Sequence, residues 1–127
     1  MSQDSKRAGQ VEAFIEAGAT FRKGWSRSVG GAADDYTGCT AIAELRDSTS
    51  KALLATFSSA AGADGAIIAT GNRLELYLSA AKTKALPPFD SAICHVELLR
   101  PWGDTDRLYE ITFGYSPEST LADPPAP

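Results

Sequence analysis

The feature that most constrains this chain is a two-residue period in its apolar side chains. Tyr109, Ile111, Phe113 and Tyr115 alternate with Leu108, Glu110 and Thr112. A period of two sends successive side chains to opposite faces of an extended strand, whereas a helix repeats every 3.6 residues. The same pattern sets Leu74, Leu76 and Leu78 against Arg73, Glu75 and Tyr77, and Cys94, Val96 and Leu98 against His95 and Glu97. Cys39, Ala41, Ala43 and Leu45 alternate with Thr40, Glu44 and Arg46, and Ile42 alone breaks the polar side. Weaker strand runs cover 11–17, 20–27, 53–57 and 66–69. One apolar and one polar face per strand predicts antiparallel sheets packed on a single core.

Turn-forming residues fall between these runs. Gly30-Gly31, Asp47-Ser48-Thr49-Ser50, Gly62-Ala63-Asp64-Gly65, Gly71-Asn72 and Gly103-Asp104 punctuate the chain, as short connections require. Residues 101–106 predict a hairpin turn between the two best strands. The one helical candidate is short: Ser79 caps a turn or two over 80–85, and Pro87-Pro88 stops it. The predicted fold is all-β, an Ig-like antiparallel β-sandwich of about seven to nine strands with one short helical crossover. With 127 residues, 43% of them hydrophobic, the chain fills one domain and no more. Residues 10–118 form that domain. Residues 1–9 and the Pro-rich 119–127 read as flexible tails.

Charge limits the partners. Twelve Lys and Arg against sixteen Asp and Glu leave a net charge of −4, which disfavours a nucleic-acid partner. No apolar run is long enough to span a membrane, and no apolar segment follows the first charged residues to suggest a secretory leader. Two cysteines without such a leader suit a reducing compartment, so Cys39 and Cys94 are expected as free thiols rather than an antibody-type bridge. The Trp expected between bridging cysteines is also missing, since Trp25 precedes Cys39 and Trp102 follows Cys94.

No catalytic or metal constellation emerges. The lone histidine, His95, alternates outward beside Glu97 and lacks partners at ligand or triad spacing. Asp34-Asp35 and the pair Asp104 and Asp106 lie in Gly-rich turns, and turn chemistry accounts for them. The basic and aromatic run of Arg22, Lys23, Trp25 and Arg27 reads as a strand with Phe21 and Trp25 packed inward. No cofactor is implied. The run 53–57 carries no charge, unlike most exposed edges, and is expected to be an edge covered by a partner or a second copy. The interface candidates are therefore Leu54, Thr56, Trp25 and Trp102.

Four segments in order carry a family resemblance. They are Ala19-Thr20-Phe21-Arg22, then Asp35-Tyr36-Thr37-Gly38-Cys39-Thr40-Ala41 leading to Leu45-Arg46-Asp47, then Ser79-Ala80-Ala81-Lys82-Thr83-Lys84-Ala85-Leu86-Pro87. The last is Val96-Glu97-Leu98, continuing through Gly103-Asp104, Arg107-Leu108-Tyr109-Glu110 and Ser116-Pro117-Glu118. They resemble small β-sandwich structural proteins of tailed bacteriophages and prophages, and are similar to the N-terminal domain of phage baseplate upper proteins. The resemblance implies a non-enzymatic virion component, tail or baseplate associated, that contacts other phage structural proteins or itself. It would occupy the bacterial cytoplasm when expressed and the virion when assembled. The rival expectation is a carbohydrate-binding module with Trp25, Trp102 and Tyr77 as stacking platforms on one surface.

Overall fold

A computed structural model describes residues 8–117. The protein is all-β with one short helix, as its periodicity predicts. Its strands are β1 (Gly9–Glu16), β2 (Phe21–Ser26), β3 (Ser28–Val29), β4 (Ala32–Ala33), β5 (Thr40–Asp47), β6 (Leu53–Ser58), β7 (Gly65–Thr70), β8 (Arg73–Leu78), β9 (Ala92–Leu99) and β10 (Thr105–Ser116). Helix α1 (Ala80–Ala85) separates β8 from β9. Gly9, assigned to the tail by sequence, already pairs with Tyr109. The expected C-terminal tail, with Leu121, lies outside the described residues.

Eight strands form one sheet in the order β1-β10-β9-β5-β6-β7-β8-β2, and β3 and β4 make a separate hairpin. The sheet is mixed rather than wholly antiparallel, because β1 runs parallel to β10 and β6 parallel to β7. Side-chain alternation is the same in both kinds of pairing, so periodicity alone does not separate them.

The sheet curls strongly, for a simple reason. Laid flat, eight strands about 4.8 Å apart would separate β1 from β2 by about 34 Å. Residues 17–20 join those two end strands, and so short a link reaches only about 17 Å. The two ends therefore come together, giving a nearly barrel-shaped sheet around one core. No ladder joins β1 to β2 among the described residues. Lys23 sits on β2 opposite buried Leu76, an inward-position charge of the kind that discourages pairing at an edge.

The apolar faces meet inside. Ile15, Leu45, Leu74, Leu76, Leu78, Val96, Leu98, Ile111 and Phe113 are fully buried, and Phe21 packs its ring 5.4 Å from that of Phe113. The antiparallel β9–β10 hairpin forms as predicted. Ser79 caps α1, its side chain accepting from Lys82 N.

The strand β6 is the expected edge over part of its length. It pairs with β5 throughout but with β7 only at Phe57 and Ser58, so residues 53–56 keep one side without a ladder, where the Asp64 carboxylate accepts from the Thr56 N–H. The loop 59–64 is too short to return along β6, so β7 meets only the end of that strand. Leu54, on the unpaired half, is half-buried and lines a small cleft with Leu78, Lys82 and Leu86 at α1.

Candidate functional site

Sequence treated Asp34-Asp35 and the Asp104 and Asp106 pair as separate turns. The fold brings them together at one end of the sheet, between the β3–β4 hairpin and the β9–β10 turn. Gly30 and Gly31 both take positive φ at the hairpin tip, 62° and 85°, a geometry that glycine adopts freely. Val29 and Ala33 form one wall, and Trp102 and Asp104 the other, of a cleft of about 410 Å³.

Arg100 organises the floor. Its Nη2 donates to both carboxylate oxygens of Asp34 at 3.0 and 3.2 Å, and its Nε to Asp106 at 2.9 Å. Arg27 adds a second cation, 3.5 Å from Asp34, and donates from Nη1 to the Leu108 carbonyl. The side chains of Arg27, Arg100 and Asp34 are about nine-tenths buried. Burial works against the charge on Arg100, but its bonds to Asp106 and Asp34 outweigh that and raise its pKa. These pairs fix the β9–β10 turn against the chain leaving β4.

Two phenols lie behind this floor. Tyr36 and Tyr109 are 3% and 4% exposed, and their hydroxyls face each other rather than any other polar side chain. Burial raises both pKa values, and the charges of Asp34 and Arg27 act on both. Tyr109 also packs against Trp25, ring centroids 5.4 Å apart.

At the rim, Asp104 accepts a hydrogen bond from Trp102 Nε1 at 3.0 Å, which fixes the indole while leaving it 69% exposed. Asp35 is exposed and accepts from the Thr37 hydroxyl and backbone N–H. Those bonds hold its carboxyl below the usual range.

The residues singled out in the sequence do not converge. Trp102 is exposed, while Trp25 packs against the core. Thr56 donates from its backbone N–H and hydroxyl to Asp64 at 2.9 and 3.3 Å. Trp25 pairs with inward Leu74, whereas Tyr77 faces outward beneath Arg22, so Trp25, Tyr77 and Trp102 occupy three different surfaces and form no shared sugar platform. His95 is exposed, in register between Glu44 and Glu110. The thiols are free, Cys94 buried and Cys39 half-buried. Cys94 pairs with Leu45 along β5, placing Cys39 about 20 Å away at the strand rise, beyond disulfide reach.

A second surface lies on the outer face of the sheet. Register aligns Arg107, Glu97, Ile42, Ser58, Ala66, Tyr77 and Arg22 in one row across seven strands. The four central positions are uncharged. Ile42, Leu99 and Ile68 beside them are 58%, 48% and 42% exposed. Ile42 stands directly opposite Glu97 and Ile68 directly opposite Glu75, so these exposed apolar side chains are interleaved with charge at the borders of the row. Sequence marked Ile42 only as an exception to polar alternation. Its companions come from distant strands, so the patch exists only in the folded sheet.

Among the described residues, no three His, Cys, Asp or Glu side chains converge on a possible metal position, and no helix is long and apolar enough to cross a membrane. No protein-family model matches the chain, and no curated protein matches it.

Proposed function

We propose that this chain is a non-enzymatic structural component of a phage or prophage particle, tail or baseplate associated, acting through protein–protein contacts. The observation that carries the contact role is the run of uncharged outer-face positions Ile42, Ser58, Ala66 and Tyr77, with Ile42 58% exposed, bounded by Glu97 and Arg107 on one side and Arg22 on the other. The resemblance of the four sequence segments supplies the particle. The partner is another structural protein of the particle or a second copy of the chain.

The interior supplies rigidity and the outer face supplies adhesion. A specific interface buries on the order of 1,000 Å² or more, with apolar residues at its centre and charge at its rim. The row from Arg107 to Arg22 follows that plan. Sedimentation from micromolar to near-millimolar concentration, alone and mixed with neighbouring structural proteins of the particle, tests the proposal. Association should occur and should be lost in Ile42→Lys, whose exposed position tolerates the change in the monomer. A strict monomer that binds none of those proteins would overturn it.

A further inference from the structure

We propose that residues 118–123, which follow β10, fold back across α1 and seat Leu121 in the cleft between α1 and the unpaired half of β6. This contact is intramolecular and independent of the outer-face reading.

The fold leaves this place unfinished. Residues 53–56 have β5 on one side and no strand on the other, where Asp64 accepts from the Thr56 N–H at 2.9 Å. Native proteins cover such open strand sides with a loop, a helix or a charge. Beside this one, Leu54, Leu78, Ala85 and Leu86 enclose a hollow of about 130 Å³. A single buried leucine cut back to alanine leaves about 150 Å³. The hollow is therefore close to the size of one leucine side chain.

The chain beyond β10 starts close by. Ser116 accepts from the Ala17 N–H at 2.9 Å, and the next residue, Gly18, donates to the Thr83 hydroxyl of α1 at 3.0 Å. Tyr115 packs its ring 4.9 Å from that of Phe89, three positions after Leu86. The end of β10 thus stands beside α1. Pro117 has no N–H with which to extend the ladder, and the chain leaves the sheet there. Lys82, at the cleft, is one residue and about a quarter of a turn from Thr83. Leu121 follows Ser116 by five positions, a reach of about 17 Å. That reach exceeds the width of a helix, about 10 Å.

The segment fits the hollow in apolar content and in charge. Leu121 is the single large apolar side chain among residues 118–127, so room for one leucine meets a segment with one leucine to bury. Glu118 and Asp123 flank it, while α1 carries Lys82 and Lys84 and no acid. These opposite charges favour seating modestly, and less in high salt. Another cleft near the end of β10, about 250 Å³, has Phe14 and Phe21 in its walls together with Glu16, Arg22 and Lys23. It is larger than one leucine fills and has a more charged lining. A seated Leu121 replaces the loose tail that proline content suggests.

The test is NMR on the full chain with isotope-labelled leucine methyls. Nuclear Overhauser contacts should join the Leu121 methyls to those of Leu54 and Leu86. Leu121→Ser should abolish those contacts, shift the Leu54 and Leu86 methyl signals, and lower the thermal midpoint by at least about 2 °C. Leu121→Met, similar in volume, should retain most of the midpoint. In a Leu54→Ala background, Leu121→Ser should lower the midpoint by less than it does in the parent chain, since contacting residues are not additive. Absence of the Leu121 contacts, or parental methyl signals and midpoint in Leu121→Ser, would overturn the proposal. Contacts from Leu121 to Phe14 instead would overturn it and move the segment to the other cleft. Contacts seen only between differently labelled copies would overturn it as well, and make a second copy the occupant. Association lost in Ile42→Lys is read separately, so either reading can fail without the other.

Discussion

At the scale of single residues, environment separates side chains that look alike in sequence. Cys39 and Cys94 both occupy apolar alternation, yet Cys94 is fully buried and its thiol is pushed up to about 12, chiefly by burial and then by the Glu44 charge. A thiol reacts as its thiolate, so native protein should titrate one equivalent of thiol reagent rapidly, at Cys39, and the second only on denaturation. Two fast equivalents in native protein would contradict that burial. Asp47 offers a different test. Its carboxylate accepts from the backbone of Thr49 and Ser50 at 2.8 and 3.0 Å, and these bonds, Ser50 foremost, lower its pKa from 3.8. A depressed carboxyl pKa contributes stability that is present above the unfolded value and lost as pH falls through the folded one. Denaturant titrations at about pH 6 and about pH 3 should therefore show a smaller acid loss in Asp47→Asn than in the parent chain. The turn at 47–50 was legible because aspartate there bonds the backbone just downstream. The role of Arg100 was not legible, because Asp106 faces it across one hairpin turn but Asp34 comes from a remote segment after β4.

At the scale of elements, α1 is six residues long, too short to persist by itself. Thr83 ties it down. This side chain is wholly buried, and its hydroxyl accepts from Gly18 N–H at 3.0 Å and donates toward the Ala19 and Ala80 carbonyls. The helix is thereby pinned to the turn between β1 and β2, where the curled sheet comes round on itself. Thr83→Val preserves shape and removes those bonds, leaving Gly18 N–H and Ala19 C=O without their partner. It should cost about 1–3 kcal/mol by chemical denaturation, and an unchanged midpoint would show that the pin is dispensable. Leu54 belongs to the same region. Half-buried at the cleft by α1, it reports on packing of the helix, so Leu54→Lys should lower stability rather than relieve a docked edge. The helix and its Ser79 cap were readable from local chemistry, whereas the covering of β6 depends on where the chain goes after Ser58.

For the whole molecule, one core joins strands from both ends of the chain, and Phe113 stands in its middle, packed against Phe21. Phe113→Ala should cost about 3–5 kcal/mol, enough to unfold a marginally stable domain, and a thermal midpoint unchanged within about a degree would disprove its central place. The sequence by itself determined the eight strands of the large sheet, their buried faces, the helix and most turns, though not the short β3–β4 hairpin, because alternation, caps and turn residues are local properties that act within a few positions. It also determined that Ile111 and Phe113 lie inside, since each follows from the phase of its own strand. Only the tertiary structure decided that β1 and β10 run parallel, that the sheet curls until β1 meets β2, and that β7 covers only the end of β6. Those outcomes depend on the order in which strands pair, and strands of one period fit many orders equally well. The cleft and the outer apolar face belong with them. Arg27 and Asp34 reach Arg100 and Asp106 only where the β3–β4 hairpin meets the β9–β10 turn, and the row from Ile42 to Tyr77 forms across ladders whose register no short stretch of sequence encodes.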